Sequence, residues 1–435
     1  MTGKAEAIVI GAGAGGLCAA ARLSAAGLHP VLVESLDHVG GRAATEVIDG
    51  FTVNIGAIAL ETGGLFEETF RLVGAPLDLR YPTPASAFYL DGKVVDVGRG
   101  GWGLLLGQLT KQAARILDKF AEARSGQLPD GRQSTAEWVS SYTSNETVHA
   151  LFRNLCAAIF ACNADELPAR AFLTYFTGKG AFKKFGFSPN GTMGVWQSLA
   201  DAIARNGEVR LSTPVRKIVI EDGRVRGVVV EQNGQAITIE SDIVVSNAGP
   251  KATVALAGAE NMPGYAARLP ELRPAANIVV NFATREPLMA APGIVTFGKT
   301  RRLCNMANMT ATCPELAPPG WHLYVAYAVP KPALGGFDND AEIALALEDL
   351  REQFPGFAQA KMLSVRVMRD DWPAQRSCAG YDLPVETGVE GLWCVGDAVK
   401  TYGDGGTQAC AETAKRVVAA ILETRAPGAR PLRTA

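Results

Sequence analysis

The chain has 435 residues, 48% of them hydrophobic, more than one core usually holds, which points to two domains. Its 42 basic and 44 acidic side chains leave a formal charge of -2, so nothing electrostatic recommends nucleic acid or another charged polymer as a partner. Eight cysteines without a Cys-x-x-Cys pair and only four histidines offer no zinc-type cluster, so no metal site and a reducing cytoplasm are expected.

Lys4 and the small apolar residues up to Ala21 imitate a signal peptide, but the same residues fit a nucleotide-binding turn one by one. Residues 7–10 form a short apolar run that reads as a buried parallel strand. It leads into Gly11-Ala12-Gly13-Ala14-Gly15-Gly16 and then into an Ala-rich stretch, 17–26, of strong helix propensity. Gly11 permits the tight turn, Gly13 lets the backbone approach a pyrophosphate, and Gly16 lets helix and strand pack closely. Ala14 and Gly15 complete the turn at a helix N-terminus, where free N–H groups favour negative charge. The next apolar run ends in Glu34, with Ser35 beside it, placed to accept hydrogen bonds from ribose hydroxyls. No uninterrupted apolar run reaches the roughly 18 residues that span a bilayer, so the protein is expected to be cytoplasmic or at most peripheral to a membrane.

Val39-Gly40-Gly41-Arg42 follows directly. Two glycines allow close backbone approach, and Arg42 suits a bidentate pairing with phosphate that lysine does not copy. The plain alternative is a glycine turn followed by a surface arginine. On these residues the chain resembles the FAD-dependent superfamily that contains flavin amine oxidases, phytoene desaturases and retinol saturases, whose members typically carry Gly-Gly-Arg after the ribose-binding glutamate. Residues 51–57, ending in Gly56 and Ala57, look like the family segment that runs beside the isoalloxazine ring.

The middle of the chain continues the resemblance with Gly191-Thr192-Met193-Gly194, a helix expected over 199–206, and then the segment 209–218. Two strand-like runs, 223–231 and 236–240, precede Asp242-Ile243-Val244-Val245-Ser246-Asn247-Ala248. In the family this order returns the chain to the FAD domain, with the position of Val215 touching adenine through its backbone. Near the C-terminus, Gly391-Leu392-Trp393-Cys394-Val395-Gly396-Asp397 is an apolar strand ending in Gly-Asp, and the resemblance implies that Asp397 meets the ribityl and pyrophosphate part of FAD. Gly403-Asp404-Gly405-Gly406-Thr407-Gln408 then opens a helix to about residue 422. Its N-terminus, at Gly405, Gly406 and Thr407, would face the flavin and stabilise negative charge on the reduced ring.

Three separated segments favour FAD over NAD, because a typical NAD domain is contiguous, and no second Gly-x-Gly-x-x-Gly appears. The expected fold is α/β: a Rossmann-type two-dinucleotide-binding FAD domain from 1–80, 189–267 and 389–428, with an inserted α+β substrate domain from 81–188 and 268–388. Binding is expected to be non-covalent, since the attachment motif Ser-Gly-Gly-Cys-Tyr is missing.

Gly406 stands where flavin amine oxidases often carry an aromatic ring that cages the amine, which counts against that chemistry. Pro314-Glu315-Leu316-Ala317-Pro318-Pro319-Gly320-Trp321-His322 and the strand-like 323–329 look like the proline turn and strand of phytoene desaturase-like proteins; an ordinary proline loop is the other reading. Residues 101–123 carry a helically spaced apolar stripe with Lys111, Arg115 and Lys119 between, which reads first as domain core and second as a membrane-facing helix. The run 181–189 lines a substrate tunnel with aromatics or is a solvated basic loop.

The expected activity is hydride transfer between a C–H bond of a small apolar organic substrate and flavin N5. The outcome would be desaturation, saturation or double-bond isomerisation of an isoprenoid-like or cyclic enone or ketone compound. Oxygen or a quinone-like carrier would take the electrons. Tyr402 and Asp404, just before the flavin-facing helix, are the polar groups expected nearest the reacting atoms, Asp404 as base or as helix cap. Amine oxidation and a non-catalytic flavin-binding role are the alternatives.

Overall fold

The computed structural model describes residues 4–96, 111–177 and 185–425. Its organising element is a five-stranded parallel sheet in the order Leu392–Cys394, Val244–Ser246, Ala7–Ile10, Pro30–Val33, Glu208–Arg210. Both faces are covered, so Ala7–Ile10 and Pro30–Val33 are buried at every residue and their sequences run apolar without alternation. Helix Ala14–Ala25 packs between this sheet and the C-terminal helix Gly406–Arg425. Its Ala19, Ala20 and Ala21 are fully buried, and side chains this small allow the two helices to approach closely.

An antiparallel layer of Val215–Glu221, Arg224–Gln232 and Gln235–Glu240 flanks the parallel sheet. Its two hairpins turn on Asp222-Gly223 and Asn233-Gly234, all four residues with φ between 49° and 75°, the conformation that matches strand twist. The segment 209–218 is split. Glu208–Arg210 belongs to the parallel sheet and Val215–Glu221 to the antiparallel layer, because Ser212 adopts φ 47° and Pro214 follows it. The helix expected from residue 199 begins at Gly191 (Gly191–Ala204), so the glycine segment is its first turn. The last helix starts at Gly406 rather than Gly403.

The second large element is a seven-stranded mixed sheet ordered Lys361–Met368, Asn277–Thr284, His322–Ala328, Leu303–Asn308, Ile294–Phe297, Ser86–Leu90, Lys93–Val95. One face packs against helix Asn339–Gln353 and the turn Pro355–Gln359 through Phe282, Tyr324, Phe354 and Phe357. A helical layer of Lys111–Arg124, Thr135–Ser140, Glu146–Phe160 and Ala169–Thr177 forms its own core. The stripe noted in 101–123 is packed inward where it is described: Ile116 is fully buried and Phe120 meets Trp138 and Phe172 edge-on. Residues 101–110 lie outside the described residues, as do 181–184. Among the described residues no helix is long and apolar enough to cross a membrane.

Candidate functional site

A cavity of about 500 Å³ opens along the carboxyl ends of the parallel strands, where the chain turns from Ile10 and Val33 into loops. Ligands of open α/β sheets bind in this place. Its lining includes Gly11, Gly13, Ala14, Gly15, Glu34, Ser35, Gly40, Gly41, Arg42, Gly56, Ala57, Val215, Asp397, Gly405, Gly406 and Thr407. Three distant parts of the sequence therefore meet in one wall. Two expected residues support this wall from behind. A Cβ on Gly16 would stand 1.9 Å from the Gly11 carbonyl oxygen, so Gly16 is fixed by helix–strand packing. Gly396, at φ 106°, lies against the Asn247 side chain.

Asn247 explains more of the glycine turn than the sequence suggests. Cβ atoms added to Gly13, Gly15 and Gly396 would fall 2.9, 2.6 and 2.8 Å from its amide. The turn is glycine-rich partly because Asn247 fills the space between the first loop and the last strand.

Electrostatics divide the cavity. Glu34 is buried and held by donors from the Ala12 N–H (2.6 Å), the Leu36 N–H (2.9 Å) and the Ser35 hydroxyl (3.0 Å). Arg42 donates to both oxygens of Asp397, at 2.9 and 2.6 Å, and to the carbonyls of Pro373 and Ala374. Burial alone would raise the Asp397 carboxyl, but Arg42, helped by Arg376, holds it well below the usual carboxylate range. Arg376 was not legible in the sequence. Burial first, then Arg42, pulls its guanidinium down to about 10, against the pull of Asp397 and Glu34. It stays charged at neutral pH, between the two acidic walls. Lys400, also missed, is fully buried; its three donors go to the Ser377 carbonyl, Asp382 Oδ1 and the Asp397 carbonyl. It holds the Asp397 loop and has no donor left for a ligand.

At the other end, the first residues of helix Gly406–Arg425 line the cavity beside Glu61 and Tyr175. Glu61 is buried, accepts a 3.0 Å hydrogen bond from the Tyr175 hydroxyl, and its backbone carbonyl accepts one from the Thr407 hydroxyl. Burial, then the Glu61 carboxylate, pushes the Tyr175 phenol well up. Neither residue sits in a motif, so no sequence signal points to them. Tyr402 and Asp404 are not in the lining. The Tyr402 ring packs on Gly380 and under the Arg170 guanidinium, half-buried against the core of the helical layer. Asp404 sits a turn before the helix, near enough to add its field to Tyr175.

A second, smaller cavity of about 90 Å³ adjoins the first and shares Ile58, Ala158, Ile159, Tyr175 and Phe185 with it. The rest of its wall is mostly apolar, with Phe88, Leu155, Phe176 and Ile294.

The lining fits an elongated cofactor with an anionic centre. Two helix N-termini and Arg376 face the space, glycines remove side chains from the wall, and three residues that line it, Asn277, Tyr327 and Gln375, each carry a buried oxygen (Oδ1, Oη and Oε1) with no hydrogen-bond partner among the described residues.

Comparison with known proteins agrees. Residues 14–422 match the family model described as flavin containing amine oxidoreductase. An uncharacterized protein of Methanocaldococcus jannaschii is 25% identical over 401 residues, 91% of this chain and 94% of its own. The phytoene dehydrogenase of Streptomyces griseus is 26% identical over 87% of this chain and 85% of its own. Among solved structures, an oxidoreductase from Methanosarcina mazei superimposes with a TM-score of 0.84 at 28% identity, covering 95% of this chain and all of that one. With its glycine turn, Arg42 and Gly405–Thr407 segment gathered around one cavity, the chain belongs to the flavin containing amine oxidoreductase family and is a flavin-dependent oxidoreductase.

Proposed function

We propose that the chain holds FAD non-covalently and moves a hydride between the flavin and a C–H bond of a small apolar substrate, so that a carbon–carbon bond is desaturated, saturated or isomerised. The observation that carries this reading is the adjacency of the two cavities, whose walls share Ile58, Ala158, Ile159, Tyr175 and Phe185. Gly405 and Gly406 line the larger cavity together with the buried Glu61–Tyr175 pair, Tyr175 also borders the smaller, mostly apolar one, and Gly406 contributes no ring.

Glu34 would hold the adenosine ribose, the Gly13–Gly15 turn and Arg376 the pyrophosphate, and Gly56, Ala57 and Gly405–Thr407 the ring end. The bound flavin supplies the hydride acceptor or donor. The chain's own residues do the rest. Ile58, Ala158, Ile159 and Phe185 exclude water and fix an apolar substrate. In desaturation a hydride leaves one carbon and a proton leaves its neighbour; Glu61 is placed to accept that proton, and Tyr175 to steady the carboxylate through its hydroxyl. The roles expected of Tyr402 and Asp404 pass to this pair, which lines the cavity. Reoxidation by oxygen or a quinone-like carrier completes the cycle.

A second reading, oxidation of an amine, draws on one observation: a buried carboxylate beside an aromatic ring suits a cation. One experiment separates the readings. The purified yellow protein is mixed anaerobically with an enone, a polyene or a simple amine, and the flavin band is followed. Bleaching by the enone or polyene alone supports hydride transfer at carbon. Bleaching by the amine sinks it, and no bleaching by any compound favours a binding-only role.

A further inference from the structure

One face of the seven-stranded sheet carries a polar row that crosses its strands. Tyr327 stands opposite Asn305, Asn305 opposite Thr296, and Thr296 opposite Phe88, so these four side chains project side by side from four adjacent strands. Tyr327 also stands opposite Val279, and Asn277, two residues earlier on that strand, shares the same face. The neighbouring residues on this face, Ile294, Ala307 and Val325, are apolar and buried.

The row follows the two cavities. Asn277 and Tyr327 line the larger one; Asn305, Thr296 and Phe88 line the smaller. Asn305 and Asn277 are only 4% and 5% exposed, and the Asn277 Oδ1 and Tyr327 Oη atoms have no hydrogen-bond partner among the described residues. Buried polar groups are normally paired, and an apolar chamber has no need of them. Leu or Val at 305 and 296 would serve a hydrocarbon better.

We infer that this row is the specificity-determining floor of the substrate chamber, and that the substrate carries an oxygen function, a carbonyl or hydroxyl, which lies on Tyr327, Asn305 and Thr296 while its apolar body faces Ile58, Ala158 and Phe185. Tyr327 and Thr296 offer hydroxyl donors and Asn305 an amide that gives and accepts, a set that matches either oxygen function. An unoxidised hydrocarbon of the same size leaves the row unpaired and is rejected. The inference rests on the proposed function for the identity of the chamber and narrows its substrate class.

The test uses the flavin-loaded protein with two probes of matched size, cyclohex-2-enone and cyclohexene, and reads binding from the perturbation of the flavin absorption band rather than from turnover. The enone is expected to bind at least about 10-fold more tightly than cyclohexene. Tyr327→Phe and Thr296→Val, which remove one hydroxyl each and keep the shape, are expected to close that gap; Asn305→Leu extends the series. Equal binding of both probes, or a gap unchanged in both shape-preserving variants, overturns the inference. The two proposals fail separately. Selective enone binding without bleaching removes the hydride chemistry and leaves the polar floor. Bleaching by a hydrocarbon polyene that all three variants keep does the reverse.

Discussion

Arg42 and Asp397 lie 355 residues apart in the chain and meet in a two-pronged ion pair, with N–O distances of 2.9 and 2.6 Å, in the wall of the cofactor cavity. The pair joins the loop after the second strand, Pro30–Val33, to the loop after the last strand, Leu392–Cys394, so the cavity wall and the closure of the fold share one contact. Each side chain is less than one-fifth exposed, which makes the loss of one partner costly.

Asp397→Asn is expected to lower stability by about 3 kcal/mol at neutral pH, since it leaves Arg42 buried without its counter-charge. The Asp397 pKa is lowered on folding, so its stabilisation is present above the unfolded value of roughly 3.9 and fades as pH falls through the lower folded value. Melting temperatures of wild type and variant should therefore differ at pH 7 and draw together below about pH 4. A gap that persists at low pH would show that the pair is not the cause.

Arg376→Met should weaken flavin retention by about 10- to 100-fold, and Arg376→Lys should recover only part of it, because a lysine keeps the charge without the planar fork. Equilibrium dialysis with the flavin absorption as readout checks this. A wild-type dissociation constant in Arg376→Met would remove this residue from the phosphate site.

Gly16→Ala and Glu34→Gln should fail in different ways. The alanine methyl would press on the Gly11 carbonyl at 1.9 Å, so a loss of roughly 2 kcal/mol or more in folding stability is expected. Glu34→Gln keeps the shape and should release flavin with a nearly unchanged melting temperature in its absence. Thermal melts of the flavin-free proteins tell the two apart.

Glu61→Gln should slow anaerobic bleaching by a productive substrate by about 100-fold while flavin content stays at the wild-type level, and Tyr175→Phe should slow it less. Stopped-flow absorbance gives both numbers. Equal rates in Glu61→Gln and wild type would place the proton-accepting group elsewhere.

All eight cysteines are buried, and burial pushes the thiols of Cys18, Cys304 and Cys410 up to about 12. Iodoacetamide at pH 8 should leave the native protein unlabelled and modify it only after denaturation. Labelling of the folded protein would reveal an opening that the packed core does not suggest.

The cofactor half was readable in the sequence because its requirements are local. A glycine turn must be glycine, a strand buried on both faces must be apolar throughout, and an acidic residue at the end of the second strand needs only the right spacing. Gly11–Gly16, Glu34, Arg42 and Asp397 are visible for that reason. Within 209–218 the chain passes from one sheet to another, which apolar periodicity does not show; only Ser212 and Pro214 mark the break.

The chemical half was decided by the tertiary structure. Glu61, Tyr175, Arg376 and Asn305 occupy no motif. Each acquires a role from a neighbour more than a hundred residues away: Glu61 from Tyr175, Arg376 from Arg42, and Asn305, through the sheet and the cavity it lines, from Phe88 and Ile58. Tyr402 and Asp404 precede the helix whose N-terminus lines the cavity, but side-chain direction is fixed by packing: neither lines the cavity, and the Tyr402 ring packs against the helical core. Which cofactor class the chain is built around is legible in the order of residues alone, because that recognition is written in backbone shape. Which side chains line the two cavities was decided only when two sheets and a helical layer closed around them, since no local rule links residues that meet solely through packing.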